Sequence, residues 1–187
     1  MTLMNNQPGD AIIKCQYLEE PRLQFADGRE HIDPKIGISR YGPKSYSPKR
    51  KHPETVRVGF IGSADTINLS QNWLETTAQG VSCDEDHVEF PGFMEDRGFF
   101  TQMIFDPDWN GQLTQKEIDE ILEKKPKARF EFLLTKLEEK LNLLSKKDQP
   151  PQYVIVALPD DLYQKSSVVE YMDQNIGFVH RDLRRAF

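Results

Sequence analysis

Cysteine is scarce in this sequence, since the 187 residues contain only two, Cys15 and Cys83, which lie far apart. Two distant cysteines build neither a disulfide framework nor a paired-cysteine zinc site, and this indicates a reducing, cytoplasmic setting. Long hydrophobic runs are missing too, because no window approaches the roughly 18 apolar residues of a membrane helix. The N-terminal residues MTLMNNQPGD lack the basic start and apolar run of a secretory signal. The sequence therefore predicts neither a secreted, disulfide-stapled protein nor a membrane protein.

An excess of positive charge is also missing, because the formal net charge is -6. Nucleic-acid binders usually carry a basic field, so this balance argues mildly against that class. Basic residues are nevertheless concentrated in two places, one near the N-terminus and one at the C-terminus. The first cluster comprises Arg40, Lys44, Lys49, Arg50 and Lys51, and the second comprises His180, Arg181, Arg184 and Arg185.

Catalytic motifs are absent as well: there is no nucleophile elbow, no P-loop and no pair of catalytic carboxylates, and we predict that the chain is not an enzyme. The stretch VGFIGSADT contains only Gly59 and Gly62, so it does not meet the G-x-G-x-x-G fingerprint of dinucleotide loops. A tight turn before a helix is the simpler interpretation, and a small nucleotide-binding α/β enzyme stays an alternative. The acidic run Cys83–His87 mixes metal-ligand types, but adjacent residues do not converge on one ion.

The order of the predicted elements indicates an α/β fold. Residues 1–54 are rich in proline and are predicted to form an extended arm with short strands. Residues 55–187 are predicted to form a Rossmann-like, mostly parallel sheet sandwiched by helices. Its predicted strands are Thr55–Gly62, Phe99–Phe105 and Tyr153–Leu158. Its predicted helices begin after Ser63 or Asp65, at Thr114, after Pro126 and beyond Asp161. The last of these helices is predicted to continue to Phe187. Ligands of such sheets bind beyond the carboxyl ends of the strands.

The stretch FDPDWNGQLTQKE matches the spacing of an EF-hand calcium loop. Asp106, Asp108, Asn110 and Glu117 occupy the first, third, fifth and twelfth positions, and Gly111 occupies the sixth. An EF-hand needs a helix on both sides, however, whereas the stretch before this loop is predicted to be a strand. The alternative is a strand that ends at Asp106, followed by a helix with the capping box of Thr114 and Glu117. A calcium-binding interaction module stays a second hypothesis.

The C-terminal stretch FVHRDLRRAF carries the strongest candidate for binding. On a helix, His180 and Arg184 would stack one turn apart, with Arg181 and Arg185 beside them. A guanidinium group next to an imidazole suits a phosphate. A solvated basic helix face is the other interpretation.

Several motifs, taken in order, resemble short prokaryotic Argonaute proteins. The N-terminal segment LEEPRLQFADGREHIDPKIGISRYGP is followed by ETVRVGFIG, FPGF, FDPDW, LTQKEID, YVIVALPDD and HRDLRRAF. Each motif is weak alone, but the ordered set is fairly specific and covers Leu18 to Phe187. The family shares the F-D-x-x-W strand end and the helix start, but not the acid spacing, which disfavours calcium.

The resemblance implies the middle (MID) domain, a Rossmann-like sandwich that anchors the 5′ phosphate of a guide strand. His180 and Arg184 match the first two phosphate-binding positions, although the family usually has Lys at the second, and Arg181 or Arg185 would help on the backbone. The family's following polar residue and second Lys would lie beyond Phe187, so the domain is expected to be truncated there and to lack PIWI. Lys44, Lys49, Arg50 and Lys51 would contact the backbone of a nucleic acid or a partner protein, with solvated surface as the other interpretation.

The resemblance also implies partners and a role. Short Argonautes lack the N-terminal and PAZ domains and usually lack slicing residues. They work with an APAZ-containing effector, which is a TIR, sirtuin-like or nuclease protein. The expected ligands are a guide, RNA rather than DNA, and a single-stranded DNA target, in antiphage and plasmid defence. No cofactor is expected in this chain, and a Mg ion is expected near the guide 5′ end in the complete protein.

Overall fold

A computed structural model of the protein describes residues 17–47, 49, 51–82, 84 and 89–185. Cys15, Arg50, Cys83 and His87 lie outside the described residues, and the interpretations that depend on them remain predictions. None of the helices in the described ranges combines the length and apolar character needed to cross a membrane.

The arm is less extended than predicted. A two-residue strand β1 (Leu23–Gln24) pairs antiparallel with β2 (Glu30–His31), and helix α1 follows at Pro34–Tyr41. The prediction of an extended segment is wrong over α1 because Pro34 occupies the first turn, where its missing N–H costs nothing. Asp33 caps this helix by accepting a hydrogen bond from the backbone N–H of Ile36 at 2.9 Å.

A three-stranded parallel sheet forms the centre of the fold. Its strands are β3 (Thr55–Gly62), β4 (Gln102–Gln112) and β5 (Tyr153–Ala157), in the order β4-β3-β5. The last five residues of β3 are all buried, as is typical of a strand covered on both faces. The outer side of β5 pairs with no other strand in the described part of the chain. The predicted Rossmann-like α/β fold is confirmed.

Helices cover both faces of the sheet. Helix α2 (Ala64–Ala78) lies on the face that carries Val58 and Phe60. The opposite face, which carries Ile61, is covered by α3 (Gln115–Leu122), α4 (Pro126–Ser145) and α5 (Asp160–Ser166). This second core is the larger one and contains apolar residues of all three helices. The separation of α3 from α4 at Pro126 agrees with the predicted break.

The predicted C-terminal helix is wrong beyond α5. Residues 168–182 form an antiparallel hairpin of β6 (Val168–Asp173) and β7 (Gly177–Asp182), followed by a single 3-10 turn at Leu183–Arg185. The hairpin turn is fixed by Asp173, whose side chain accepts hydrogen bonds from the backbone N–H groups of Asn175 and Ile176, and by Gly177 at φ 88°. The spacing of Val179 and Leu183 suits a helix, but the β-branched and aromatic residues of β6 favour a strand.

Candidate functional site

An open crevice lies at the carboxyl edge of the sheet, where α2, the end of β5, α5 and the turn at Leu183–Arg185 meet. The chain leaves β3 toward α2 on one face and leaves β5 toward α5 on the other. Adjacent strands whose connections diverge in this way create the usual ligand crevice of open α/β sheets. Here its volume is about 530 Å³. Its lining consists of Thr66, Leu69, Ser70, Val156, Ala157, Leu158, Tyr163, Leu183 and Arg184.

The first turn of α2 forms one wall of this crevice. Ser63 caps the helix by accepting from the backbone N–H of Thr66, which resolves the predicted choice between Ser63 and Asp65. The hydroxyl of Thr66 donates to the carbonyl oxygen of Ala157 at 2.6 Å and so ties α2 to the end of β5. The first turn of α2 thus contributes Thr66 to the crevice. The positive end of the helix dipole at this turn favours an anion nearby, although Asp65 in the same turn opposes it.

Arg184 forms part of the opposite wall, where Asp182 holds its side chain. The guanidinium donates to Asp182 through Nε at 3.1 Å and through Nη2 at 2.6 Å, and the backbone N–H of Arg184 donates at 3.0 Å. The hydrogen bonds from the Arg184 side chain, and then from its backbone N–H, lower the pKa of Asp182 to about 2. Arg184 is thus oriented by a carboxylate that stays ionised at neutral pH, and its Nη1 can still donate elsewhere.

His180 does not stack on Arg184, so the predicted helical pair is wrong. His180 lies on strand β7 opposite Glu170, and its Nδ1 is 2.8 Å from the Glu170 carboxylate. With Arg181 and Arg185 it borders a separate hollow of about 330 Å³, whereas Arg184 lines the crevice. A strand and a 3-10 turn do not bring residues four apart onto one side as an α-helix does. The structure therefore divides the four predicted cations between two places.

The EF-hand-like stretch is part of the sheet and not a loop. Strand β4 continues through it to Gln112, so the prediction that Asp106 ends the strand is wrong. The register with β3 shifts after Phe105, and Asp106 accepts from the backbone N–H of Asp108 within this irregular stretch. Asn110 has resumed pairing, opposite Phe60. This arrangement lacks the encircling loop through which an EF-hand coordinates calcium.

Glu117, the last residue of the calcium pattern, already has its own partners. Its carboxylate accepts from the backbone N–H of Thr114 at 2.8 Å and lies 3.0 Å from the Lys140 ammonium, and the predicted capping box is confirmed. Burial alone would raise the pKa of Glu117, but the hydrogen bonds from Thr114 and Lys140 outweigh it and hold this pKa below 4.5. The side chain therefore stabilises the fold in its ionised form.

Replacement of Glu117 by glutamine is expected to lower the free energy of unfolding by about 1 kcal/mol at pH 7, since a charged hydrogen-bond acceptor is exchanged for a neutral one. Because the pKa is depressed in the folded state, this contribution exists above the unfolded pKa and disappears as pH falls through the folded value. Urea unfolding of both proteins at pH 7 and pH 3 measures this. A difference that is equally large at pH 3 would contradict the ionised role of Glu117.

No three histidine, cysteine, aspartate or glutamate side chains among the described residues are grouped to hold a metal ion. Near Arg184, the Asp182 carboxylate is engaged by the guanidinium, and near His180 the Glu170 carboxylate is engaged by the imidazole. The Mg ion that the resemblance implies near the guide 5′ end of the complete protein stays a prediction.

The arm cluster borders two neighbouring clefts near the amino end of β3. Lys44 and Lys49 line one of about 460 Å³, and Lys51 lines one of about 780 Å³.

The sequence did not predict Thr66 and Tyr163 as residues of the carboxyl-edge crevice. Their only sequence signal is a position in the first turn of a helix after a strand, and this position points to a site only once the strand order is known.

No protein-family model matches this chain, and no curated protein matches its sequence.

Proposed function

We propose that this chain is the guide-strand 5′-end-binding portion of a short prokaryotic Argonaute, without slicing activity of its own. The ordered motifs from Leu18 to Phe187 support the family, and the Rossmann-like fold agrees with a MID domain. One observation carries the site: the crevice at the carboxyl edge of the sheet brings Thr66 of the first turn of α2 together with Arg184. Both features favour an anion, and the crevice is where such sheets bind ligands.

The walls of the crevice suit the end of a nucleotide strand. Arg184 would donate to the terminal phosphate, and the first turn of α2 would add its dipole. Leu158, Tyr163 and Leu183 provide an apolar side against which a sugar or base would pack. Asp182 orients Arg184 and also opposes a dianion, so the bound phosphate would share the guanidinium with this carboxylate.

The wider role follows from the same proposal. The chain would bind a guide, RNA in preference to DNA, and present it to a single-stranded DNA target. An APAZ-containing effector, which is a TIR, sirtuin-like or nuclease protein, would act once the target is recognised. This places the chain in cytoplasmic, nucleic-acid-guided defence against phage and plasmid DNA.

The test compares 5′-phosphorylated with 5′-hydroxyl RNA of one sequence by fluorescence anisotropy. We expect the unaltered protein to bind the phosphorylated strand at least about tenfold more tightly, the effect of one strong charge-assisted contact. Arg184→Ala should remove most of this preference. Lys147→Ala, which deletes another exposed cation beyond the end of α4, should keep it.

His180→Ala tests whether the 5′ phosphate binds in the crevice or in the hollow beside β7. Because the His180 imidazole is held by Glu170 away from Arg184, this variant should retain the preference for the 5′ phosphate. A preference lost in His180→Ala and kept in Arg184→Ala would move the site to the hollow. Equal affinities of the unaltered protein for both strands would refute the proposed function.

The two alternative functions receive less support. The Asp106–Glu117 stretch lies in a strand and a capped helix, and Glu117 is committed to Thr114 and Lys140. A Cβ on Gly59 or Gly62 would overlap a carbonyl oxygen of a neighbouring strand, so both glycines serve strand packing and not a phosphate loop. Calorimetry with Ca²⁺ and thermal shift with nucleotides are the corresponding tests.

A further inference from the structure

The arm contains a long stretch that carries basic residues and no acidic ones. Between Asp33 and Glu54 there is no acidic residue. The same segment contains six basic residues: Lys35, Arg40, Lys44, Lys49, Arg50 and Lys51. In a chain of net charge -6, these six positive charges leave -12 on the remainder. A polyanion is therefore attracted to this segment and repelled by most of the remaining surface.

Two clefts of the arm adjoin each other, and together we call them the arm groove. Lys44 and Lys49 line the first cleft and Lys51 lines the second, and both clefts share Ser47 and Asp27. The three lysines and Ser47 therefore belong to one pair of adjoining clefts. Asp27 lines both clefts and Glu54 lines the second, so these two acidic residues offset part of the positive charge of the three lysines.

An aromatic ring is fixed in the wall of the second cleft. Tyr46 is 44% exposed and stacks on Phe100, with the ring centroids 4.0 Å apart and an interplanar angle of 11°. Phe100 adopts a positive φ of 49°, which a phenylalanine rarely takes unless its surroundings hold it. The ring of His52 lies perpendicular to that of Tyr46, with the ring centroids 5.6 Å apart. Hydrogen bonds to Ser45 and to the carbonyl oxygen of Phe99 anchor His52 in turn.

We propose that the arm groove is a second binding site for single-stranded nucleic acid. Lys44, Lys49 and Lys51 neutralise successive phosphates, and one base packs against Tyr46. Lysines beside a fixed, half-exposed aromatic ring are the combination that binds single strands without sequence preference. An acidic protein segment would use the lysines but would gain nothing from the ring, so the ring favours nucleic acid.

The inference rests on the proposed function only for the class of ligand, since the site itself is separate. The arm groove reaches Thr55, the first residue of β3, whereas the crevice is lined by Val156 and Ala157, which pair with Ile61 and Gly62 at the other end of β3. The seven intervals from Thr55 to Gly62, at ~3.3 Å each, span roughly 23 Å. Each site can therefore be altered without touching the other.

The experiment measures binding of a 5′-hydroxyl, single-stranded oligonucleotide at several salt concentrations. Relative to the unaltered chain, Lys44→Ala/Lys49→Ala/Lys51→Ala is expected to bind about tenfold more weakly at low salt. Its slope of log affinity against log salt should be shallower by about 2, as three lost single-strand phosphate contacts require. Lys116→Ala/Lys146→Ala/Lys147→Ala removes the same charge from exposed helix ends and is expected to change the slope much less. Equal slopes for the two triple variants would overturn the inference.

Variants of Tyr46 test whether the ligand of the arm groove is a nucleic acid or an acidic protein. Tyr46→Phe keeps the ring and should bind the oligonucleotide as the unaltered chain does, whereas Tyr46→Leu should weaken binding several-fold, with thermal melting used to confirm that it folds. If Tyr46→Leu proves unstable, abasic and base-containing oligonucleotides of equal length provide the same comparison on the unaltered chain. A polyglutamate peptide of equal charge that binds as tightly as the oligonucleotide would instead identify an acidic-protein site.

The outcomes separate this inference from the proposed function. The oligonucleotide carries no 5′ phosphate, so a failed phosphate preference leaves the arm result interpretable. Arg184→Ala should leave the salt slope of the 5′-hydroxyl strand nearly unchanged, whereas the arm variant should retain the ratio of affinities for phosphorylated and hydroxyl ends.

Discussion

Replacement of Phe130 by alanine is expected to lower the free energy of unfolding by about 3–5 kcal/mol, the usual loss for a fully buried aromatic residue. Phe130 is 1% exposed and belongs to the larger core, where α4 packs together with α3, α5 and the face of β3 that carries Ile61. The cavity would form where helices from three parts of the chain meet, so little local relaxation can fill it. Thermal unfolding should show a drop in Tm of roughly 10 °C for a chain of this size.

Phe132→Ala provides the matched control on the same helix. Phe132 is only partly buried, and the ammonium groups of Lys124 and Lys136 lie over its ring, 4.4 and 5.5 Å from the ring centroid. Its loss should cost about 1–2 kcal/mol, because less apolar surface returns to water. Equal losses for the two variants would contradict the assignment of Phe130 to the centre of this core.

Replacement of Gly62 by alanine is expected to destabilise the protein by about 2–3 kcal/mol, as other overpacked sites do. A Cβ at this position would overlap the carbonyl oxygen of Ala157 and come within 2.6 Å of the Thr66 hydroxyl. The backbones of β3 and β5 would have to separate, which would also strain the hydrogen bond from Thr66 to Ala157. Urea unfolding measures the loss, and the crevice should bind its ligand more weakly in the same variant.

Gly111→Ala is the comparison within the same sheet. A Cβ there would meet only side-chain carbons, those of Ile61 and Lys140, at 3.0 Å. Small side-chain movements can relieve such contacts, so the expected loss is below about 1 kcal/mol. A Gly62→Ala protein as stable as the unaltered chain would show that the β3–β5 approach is looser than the structure indicates.

The parts of the fold that the sequence predicts well are those set by local chemistry. Two helix starts are predicted correctly from their capping residues, Ser63 and the pair of Thr114 and Glu117. The side chains of such residues bind backbone N–H groups of the first turn that have no partner within the helix. The strands Thr55–Gly62 and Tyr153–Ala157 follow from runs of β-branched residues. Proline misled the prediction for the arm, because its effect depends on whether it falls inside a helix or in its first turn.

The candidate site depends on contacts between distant residues, which is why the sequence predicted it only in part. The cations of the C-terminal stretch were identified, but their grouping assumed a helix in which Val179 and Leu183 share a face. The hairpin instead sends His180 to Glu170 and leaves Arg184 at the crevice. Thr66 and Arg184 are 118 positions apart and line one crevice because β3 and β5 are neighbours. Only the strand order, and not the local pattern, reveals that.

The open side of β5 has a consequence for association between chains. Within the described residues its outer backbone N–H and C=O groups face no strand, and its five residues YVIVA have the composition of an aggregation-prone segment. Pro150 and Pro151 precede this strand closely, and Pro159 follows it. Proline cannot donate to a ladder, so these residues act as gatekeepers that limit any foreign strand to a short stretch of pairing. The outer edge of β5 is thus unpaired within the described residues, while the flanking prolines restrict the addition of further strands that would build a fibril.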